Sequence, residues 1–304
     1  MNNEQARHRL QLPLSHYTFH FGTEQPPMLP DFPGSAWRGA LGHALKKTVC
    51  VVRGTPCQEC LLKASCAYSY VFETPPPGNA EKMRKYNAAP HPFVLRMPVS
   101  DRAGERHYPL QMLLFGHGQR FFPYLVHALQ KAGEDGIGGC RQSFTLQRIE
   151  QMQPDGTAAT VYSQGKLQDL QPPRCPEIPE MPDAITMRLL TPLRIRHDGR
   201  NITPDNFTFA ALFGNLLRRI SMLTYFHTDT PLDVDFAGLM QKARAVPVST
   251  RDLHWYDWKR YSSRQKTEMR MGGLLGAMQL DLREMGDFWP YLWLGQWILS
   301  LIHI

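Results

Sequence analysis

From Leu10 to Phe21 apolar and polar residues alternate, with Tyr17, Phe19 and Phe21 on one side and His16, Thr18 and His20 on the other. That period of two predicts a half-buried strand. The period then lengthens. Ala36, Trp37, Ala40, Leu41, Ala44 and Leu45 recur at helical spacing through WRGALGHALKK, with Ser35 placed to cap the helix. Beyond a cysteine-rich segment and a PPP break, FVLRMPV and YPLQMLLF read as strands and FFPYLVHALQKAG as an amphipathic helix. The glycine loop GEDGIGGC then leads into a further strand, RQSFTLQRIE.

The second half starts the same order again. AITMRLLTPLRIR reads as a strand and FTFAALFGNLLRRISMLTYF as a helix. ARAVPVST and the stretch from Lys266 to Leu282 follow as a strand pair, with a helix near FWPYLWLGQWI. Between the halves, Pro172, Pro173, Pro176, Pro179 and Pro182 preclude a helix or a central strand. The order strand, helix, two strands, helix, strand is that of a ferredoxin-like unit. The expected fold is therefore α+β, two ferredoxin-like (RRM-like) domains in tandem. The first spans 8–168 with a cysteine-rich insertion at 50–66 after the first helix, and a Pro-rich linker covers 169–183. The second spans 184–298 and lacks its last strand, which predicts an open sheet edge. Residues 299–304, LSLIHI, are expected to be a non-native tail, because they are the frame translation of CTGTCTCTTATACACATC, a transposon-end adapter. The native protein is expected to continue past about Ile298.

Composition narrows the partners. Lys and Arg number 34 against 27 Asp and Glu, a formal charge of +7, while apolar residues at 42% and charged residues at 20% exclude a wholly disordered chain. A modest positive excess is compatible with a polyanion. The N-terminus is interrupted by Arg7, His8 and Arg9 and carries no signal-peptide core, so a cytoplasmic location is expected. The C-terminal apolar run holds Pro290, Gly295 and Gln296 and is shorter than a bilayer span of about 20 residues, which favours a buried helix over a membrane segment.

Four patterns carry candidate chemistry. Cys50, Cys57, Cys60 and Cys66 are spaced C-x6-C-x2-C-x5-C, close enough for four thiolates to close round one tetrahedral ion. Structural zinc is the expectation and an iron–sulfur cluster the alternative; four unrelated thiols would have the same spacing. Gly133, Gly136, Gly138 and Gly139 with Arg141 could bring peptide N–H groups and a cation to phosphate, or form a tight connection with no ligand. In HWYDWKRYSSRQKTEMRMGGLLG, Lys259, Arg260, Arg264, Lys266 and Arg270 alternate with Trp255, Tyr256, Trp258 and Tyr261, a mixture suited to phosphate contacts and base stacking or to a solvated hairpin. Finally, His43 lies one helical turn before Lys47, with Arg38 earlier on the same helix, so an imidazole and a cation can share a face beside a phosphate. His16 and His20 on the first strand compete for the same role.

Taken in order, WRGALGHALKKTVC, the cysteine set ending in CAYSYVFETPPP, LLFGHGQRFFPYLVHALQKAGEDGIGGCRQSFTL and WKRYSSRQKTEMRMGGLLGAMQL resemble the CRISPR-associated precursor-RNA processing endoribonucleases of the RAMP superfamily over nearly the whole chain. The resemblance implies two RAMP domains that bind CRISPR repeat RNA. It also implies metal-independent cleavage by 2′-hydroxyl attack, leaving a 2′,3′-cyclic phosphate and a 5′-hydroxyl. It further implies a catalytic role for His43, cationic support from Lys47, and a glycine-rich loop in GIGGCR. The alternative is a catalytically inert RAMP subunit that holds crRNA within a CRISPR effector complex. Neither a membrane nor DNA is expected as a partner.

Overall fold

The computed structural model describes residues 10–30, 32–76, 89–97, 105–153, 155–197, 199–248, 250–262 and 267–299. Alternation along the first strand decides the N-terminal architecture. β1 (Leu14–Gly22) lies between β3 (His107–Phe115) and β4 (Thr145–Met152), antiparallel to both. With β2 (Phe93–Arg96), β5 (Ala158–Ser163) and β6 (Lys166–Leu167) they form a sheet of order β2-β3-β1-β4-β5-β6. The first four are in the ferredoxin-like order.

Tyr17, Phe19 and Phe21 are fully buried in a core shared with α1 (Gly34–Val49) and α2 (Phe122–Asp135). Phe122 stacks on Tyr17 with ring centroids 3.9 Å apart, and Trp37 meets Phe21 at 4.9 Å. Leu41 and Leu45 of α1 and Leu125 and Leu129 of α2 complete this layer. Ser35 does not cap α1. The helix begins one residue before it, at Gly34, and its N-cap is Pro33, whose carbonyl accepts the N–H groups of Ala36 and Trp37, so Ser35 lies in the first turn.

Two sequence expectations shift by local turn chemistry. β4 starts at Thr145 rather than Arg141, because Ile137 and Gln142 exchange backbone hydrogen bonds and close 137–142 as its own tight turn. The hairpin β5–β6 extends the sheet beyond the expected strands; Gln164 and Gly165 at φ 49° and 76° form its two-residue turn. Both central residues of such a turn need positive φ, which suits the right-handed twist of the flanking strands.

The second half repeats the order with three strands among the described residues, β10-β11-β7, where β7 is Ala184–Leu193, β10 is Thr250–Ser262 and β11 is Thr267–Asp281. A short pair, β8 (Arg196–His197) and β9 (Arg200–Asn201), precedes α3 (Phe209–His227). Leu189, Leu193, Leu212, Leu274 and Met278 form the core beneath the sheet. The expected strand ARAVPVST is a correction: Ala243–Ala245 close a helix, α4 (Phe236–Ala245), whose N-cap Asp235 accepts from Gly238 N–H at 2.9 Å. The strand paired with β11 is therefore β10, which contains the basic, aromatic-rich segment itself. α5 (Trp289–Ile298) is a buried helix, as expected, and among the described residues no helix is long and apolar enough to cross a membrane. Of the proposed tail, only Leu299 is described.

Contacts divide the chain into two units. One is Leu12–Cys175 with Met222–Asp229, and the other is built from Pro176–Ser221 and the chain from Thr230. The proline-rich stretch has no helix or strand of its own, yet it is tied down: Arg174 pairs with Leu14, and the indoles of Trp289 and Trp293 donate to the carbonyls of Pro179 and Glu177.

Phe21 is fully buried against Trp37 and Phe144. Phe21→Ala should lower stability by about 3–5 kcal/mol, read from the shift in urea midpoint of the N-terminal transition. A midpoint unchanged from wild type would refute this picture of the core.

Candidate functional site

Helical geometry separates the residues of α1 by exposure. Trp37, Leu41, Ala44 and Leu45 are buried, whereas His43 and Lys47 are exposed one turn apart on the outer side. The Lys47 Nζ lies 3.9 Å from Asp135 Oδ2, at the last residue of α2 and next to Gly136. The structure thus brings the cationic end of α1 to the beginning of the glycine turn. Both partners are well exposed, so this pair adds little stability.

Gly136 has φ 94°, and a Cβ there would sit 2.3 Å from the Arg141 carbonyl oxygen. Only glycine makes that turn. Gly138 is at φ 80° and Arg141 at φ 51°, while Gly139 and Arg141 are exposed, with nothing within 4 Å of a Cβ at Gly139. The turn therefore presents open backbone and a guanidinium outward. Gln142 anchors it from below. Its amide donates to the carbonyls of Gln25 and Pro26 at 3.0 and 3.2 Å and accepts the Met28 N–H at 2.7 Å. Beside it runs an open groove of about 650 Å³, lined by Gly22, Arg106, Gln142, Ser143, Thr145 and Gln147 among others.

Arg38 is placed differently from His43 and Lys47. It is half-buried, its guanidinium over the Phe72 ring at 5.3 Å and 2.5 Å from His91 Nε2. A guanidinium only donates, so His91 accepts at Nε2 and donates from Nδ1 to the Thr74 hydroxyl at 3.1 Å. Thr74, at φ 41°, in turn donates to the Tyr70 carbonyl. Tyr70 extends the network. Burial pushes its hydroxyl up to about 12, so it stays protonated and donates to His227 Nδ1 at 2.9 Å, while His227 Nε2 donates to the Pro90 carbonyl at 2.7 Å. Each of these two buried histidines thus has both ring nitrogens hydrogen-bonded. Arg38 supports α1 and the adjoining turn from within rather than presenting its charge outward.

The face of the N-terminal sheet opposite the aromatic core carries His16, His20 and His107. His20 Nε2 donates to Glu150 Oε2 at 2.7 Å, and its Nδ1 lies 2.9 Å from His107 Nε2. Burial works against the Glu150 carboxylate, but hydrogen bonds from His20 and Arg148 outweigh it and hold the acid below its usual range. His107 and Glu150 escape sequence reasoning because their neighbours come from β1, far away in the chain; only strand register brings them together. His16 is pushed down to about 4 by burial and by Arg96. An imidazole so weakly basic is a poor proton acceptor at neutral pH.

In the second unit, Lys259 is in register with Arg270 and Arg260 with Met269 on the long strands β10 and β11. Arg264 and Lys266 lie outside the described residues. Trp255 Nε1 donates to Asp257 at 2.9 Å. The cysteines lie in the first unit, between α1 and a π-helical turn at Ser69–Glu73, and all four are half-buried thiols. The Cys50 thiol points at the Val52 carbonyl at 3.3 Å. Cys57 is raised by burial and also senses Lys46, Glu73 and Cys66. Among the described residues, no group of three or more His, Cys, Asp or Glu side chains is already arranged to hold a metal ion.

Comparison with known proteins agrees with this anatomy. A family model described as an N-terminal domain matches residues 12–174, and the model of the CRISPR-associated endoribonuclease Cas6 matches residues 187–299. Among solved structures, a Cas6 product complex is similar at TM-score 0.55 and 16% identity, covering 94% of this chain and 93% of that one. Thermus thermophilus Cas6 is similar at TM-score 0.51 and 16% identity, over 94% and 92%. A partial Cas6-RT-Cas1–Cas2 complex is similar at TM-score 0.54 and 14% identity, over 95% of this chain and 44% of that one. At these identities the likeness is one of fold. No curated protein sequence matches the chain.

His16 gives this sheet face a pH signature. The unfolded side chain takes a proton near pH 6.5 and the folded one resists until about pH 4, so stability is lost as pH falls through that window and is full above it. His16→Gln should flatten the pH dependence of stability there by up to about 3 kcal/mol, measured by urea unfolding at pH 7, 5.5 and 4. A variant as acid-sensitive as the wild type would overturn this.

Proposed function

We propose that this chain, a CRISPR-associated RAMP protein of the Cas6 type, matures CRISPR RNA by binding the repeat of the transcript and cutting it at one phosphodiester. The match of residues 187–299 to the Cas6 family model is the observation that carries the reading. The reaction is attack of a ribose 2′-hydroxyl on the adjacent phosphate: the O–P bond forms, the bond to the 5′-oxygen breaks, and the products are a 2′,3′-cyclic phosphate and a 5′-hydroxyl. It requires a base at the 2′-hydroxyl, a proton for the leaving oxygen and positive charge near the phosphorane. No metal ion enters this scheme.

The exposed end of α1 suits these requirements. The solvent-facing imidazole of His43 can take or give a proton, and Lys47, one turn on, supplies the charge. The neighbouring turn offers Gly136, Gly138 and Gly139 as backbone that RNA can approach closely, with Arg141 as a phosphate contact. Lys259, Arg260, Arg264, Lys266 and Arg270 would add phosphate contacts from the second unit, where interleaved aromatics suit base stacking. Arg38, engaged with His91 and Phe72, acts on RNA through its support of α1.

A labelled repeat RNA incubated with the protein in EDTA tests the reading. Wild type should cut and leave a cyclic phosphate end. His43→Ala should lose about 10²–10⁴ in rate with binding retained, and Lys47→Ala should also be slowed. Tight binding with no cutting by wild type would identify a non-catalytic crRNA-binding subunit instead. Undiminished cutting by His43→Ala would remove His43 from the chemistry.

Charge-reversal at the basic segment has a separate readout. Lys259→Glu with Arg260→Glu should weaken RNA binding and make the salt dependence of affinity shallower, since each lost phosphate contact reduces the slope of log K against log salt by about 0.7. An unchanged slope would mean that these side chains do not meet the RNA backbone.

A further inference from the structure

Residues 50–66 are a folded segment with almost no interior of their own. Successive turns hold them: Glu59 N–H bonds to Pro56 O at 3.0 Å, Lys63 to Cys60 O at 3.1 Å, and Cys66 to Leu62 O at 2.9 Å. No apolar side chain is buried inside. Val51 is 78% and Leu61 98% exposed. From Cys50 to Cys66, the residues shielded from solvent even in part are Val52 and the four cysteines. Ordering backbone costs about 1–2 kcal/mol per residue, and a handful of exposed turn hydrogen bonds does not offset that. What the segment turns inward is sulfur.

The outer cysteines are attached to regular structure. Cys50 closes α1, its N–H donating to the Lys46 carbonyl at 3.0 Å. Cys66 leads into the π-helical turn, its carbonyl accepting from Tyr70 N–H at 2.9 Å. Cys57 and Cys60 form a C-x2-C pair on the free part of the loop, where the Cys60 N–H reaches back to the Cys57 carbonyl at 3.4 Å. Two thiols anchored to regular structure and two on the turn-built loop between them are what a metal ion can gather into one shell.

We propose that Cys50, Cys57, Cys60 and Cys66 bind one zinc ion as tetrahedral thiolate ligands, and that the ion is the missing core of this segment. Binding replaces four S–H bonds with four Zn–S bonds and releases four protons, giving a site of net charge −2. Lys46, which lies beside Cys57, and the exposed Arg53 and Lys63 offset that charge. The thiols are not already assembled, so the ion draws the loop together, as in other small metal-organised folds. Zinc suits an all-thiolate shell without a geometric preference of its own. It would lock the end of α1, where Lys46 and Lys47 lie, to the π-helical turn.

Metal content of the full chain tests this without reference to RNA cleavage. Purified protein equilibrated with zinc and desalted should retain about one zinc per chain. Cys57→Ser with Cys60→Ser should abolish retention, whereas Cys140→Ser with Cys175→Ser should not. In the wild type, thiol titration should find only the exposed Cys140 and Cys175 reactive with zinc bound, and all six cysteines after chelation. Trypsin should cut at Arg53 or Lys63 only after chelation. Absence of retained zinc, retention unaffected by the Cys57 and Cys60 substitutions, or iron with acid-labile sulfide and a visible absorption band would each overturn the proposal.

Discussion

The N-terminal half depends on a single commitment made by β1. Because β3 and β4 flank it, its backbone is paired on both edges, and the only freedom left is which residues face which way. Tyr17, Phe19 and Phe21 go beneath the helices, and His16, Thr18 and His20 to the other side. A slip of one residue would exchange the two sets, placing imidazoles in an aromatic core and rings among charged groups. The position of α1 and α2 follows from that choice, since Trp37 and Phe122 pack directly on those rings. So does the placement of the glycine turn, which carries the chain from the end of α2 into β4.

This commitment was also the most legible part of the chain. Period-two alternation at 16–21 and helical recurrence from Trp37 to Leu45 are each sustained long enough to identify β1 and α1. Where the structure departs from the sequence pattern, a competing local signal is responsible. Val246, Val248 and the proline between them look like strand, but Asp235 caps a helix upstream that runs to Ala245. The segment from 250 to 262 is rich in Lys, Arg, Trp and Tyr, which draws attention to phosphate contacts and base stacking before strand pairing. Those aromatics are also good strand formers, and the thirteen residues pair continuously with β11.

The candidate site was legible in its residue types and less so in their directions. Arg38 and Lys47 look equivalent along the sequence, yet one turns toward His91 and Phe72 and the other outward. The difference lies in where each falls relative to the stripe defined by Trp37, Leu41 and Leu45: Arg38 borders it, next to segments 70–74 and 91–93 that arrive from elsewhere in the chain. The same holds for His227. Its ring nitrogens are satisfied by Tyr70 and Pro90, partners that no spacing rule could nominate. Charge and imidazole are thus divided between an interior set that holds the framework and an outward set on α1, His43 and Lys47, that is exposed to solvent.

The passage from α2 to β4 is closed by backbone touching backbone. A Cβ at Gly133 would lie 2.3 Å from the Phe144 carbonyl oxygen, and one at Gly136 equally near that of Arg141. These two positions differ in kind from the rest of the site. A histidine can be exchanged for another proton carrier, and a lysine can migrate by a turn and still reach a phosphate, but a missing methyl group has no substitute elsewhere in the chain. Any side chain at either glycine, down to a single methyl group, must open the passage from α2 to β4 itself, so tolerance to substitution is set here by backbone spacing and not by charge or proton chemistry.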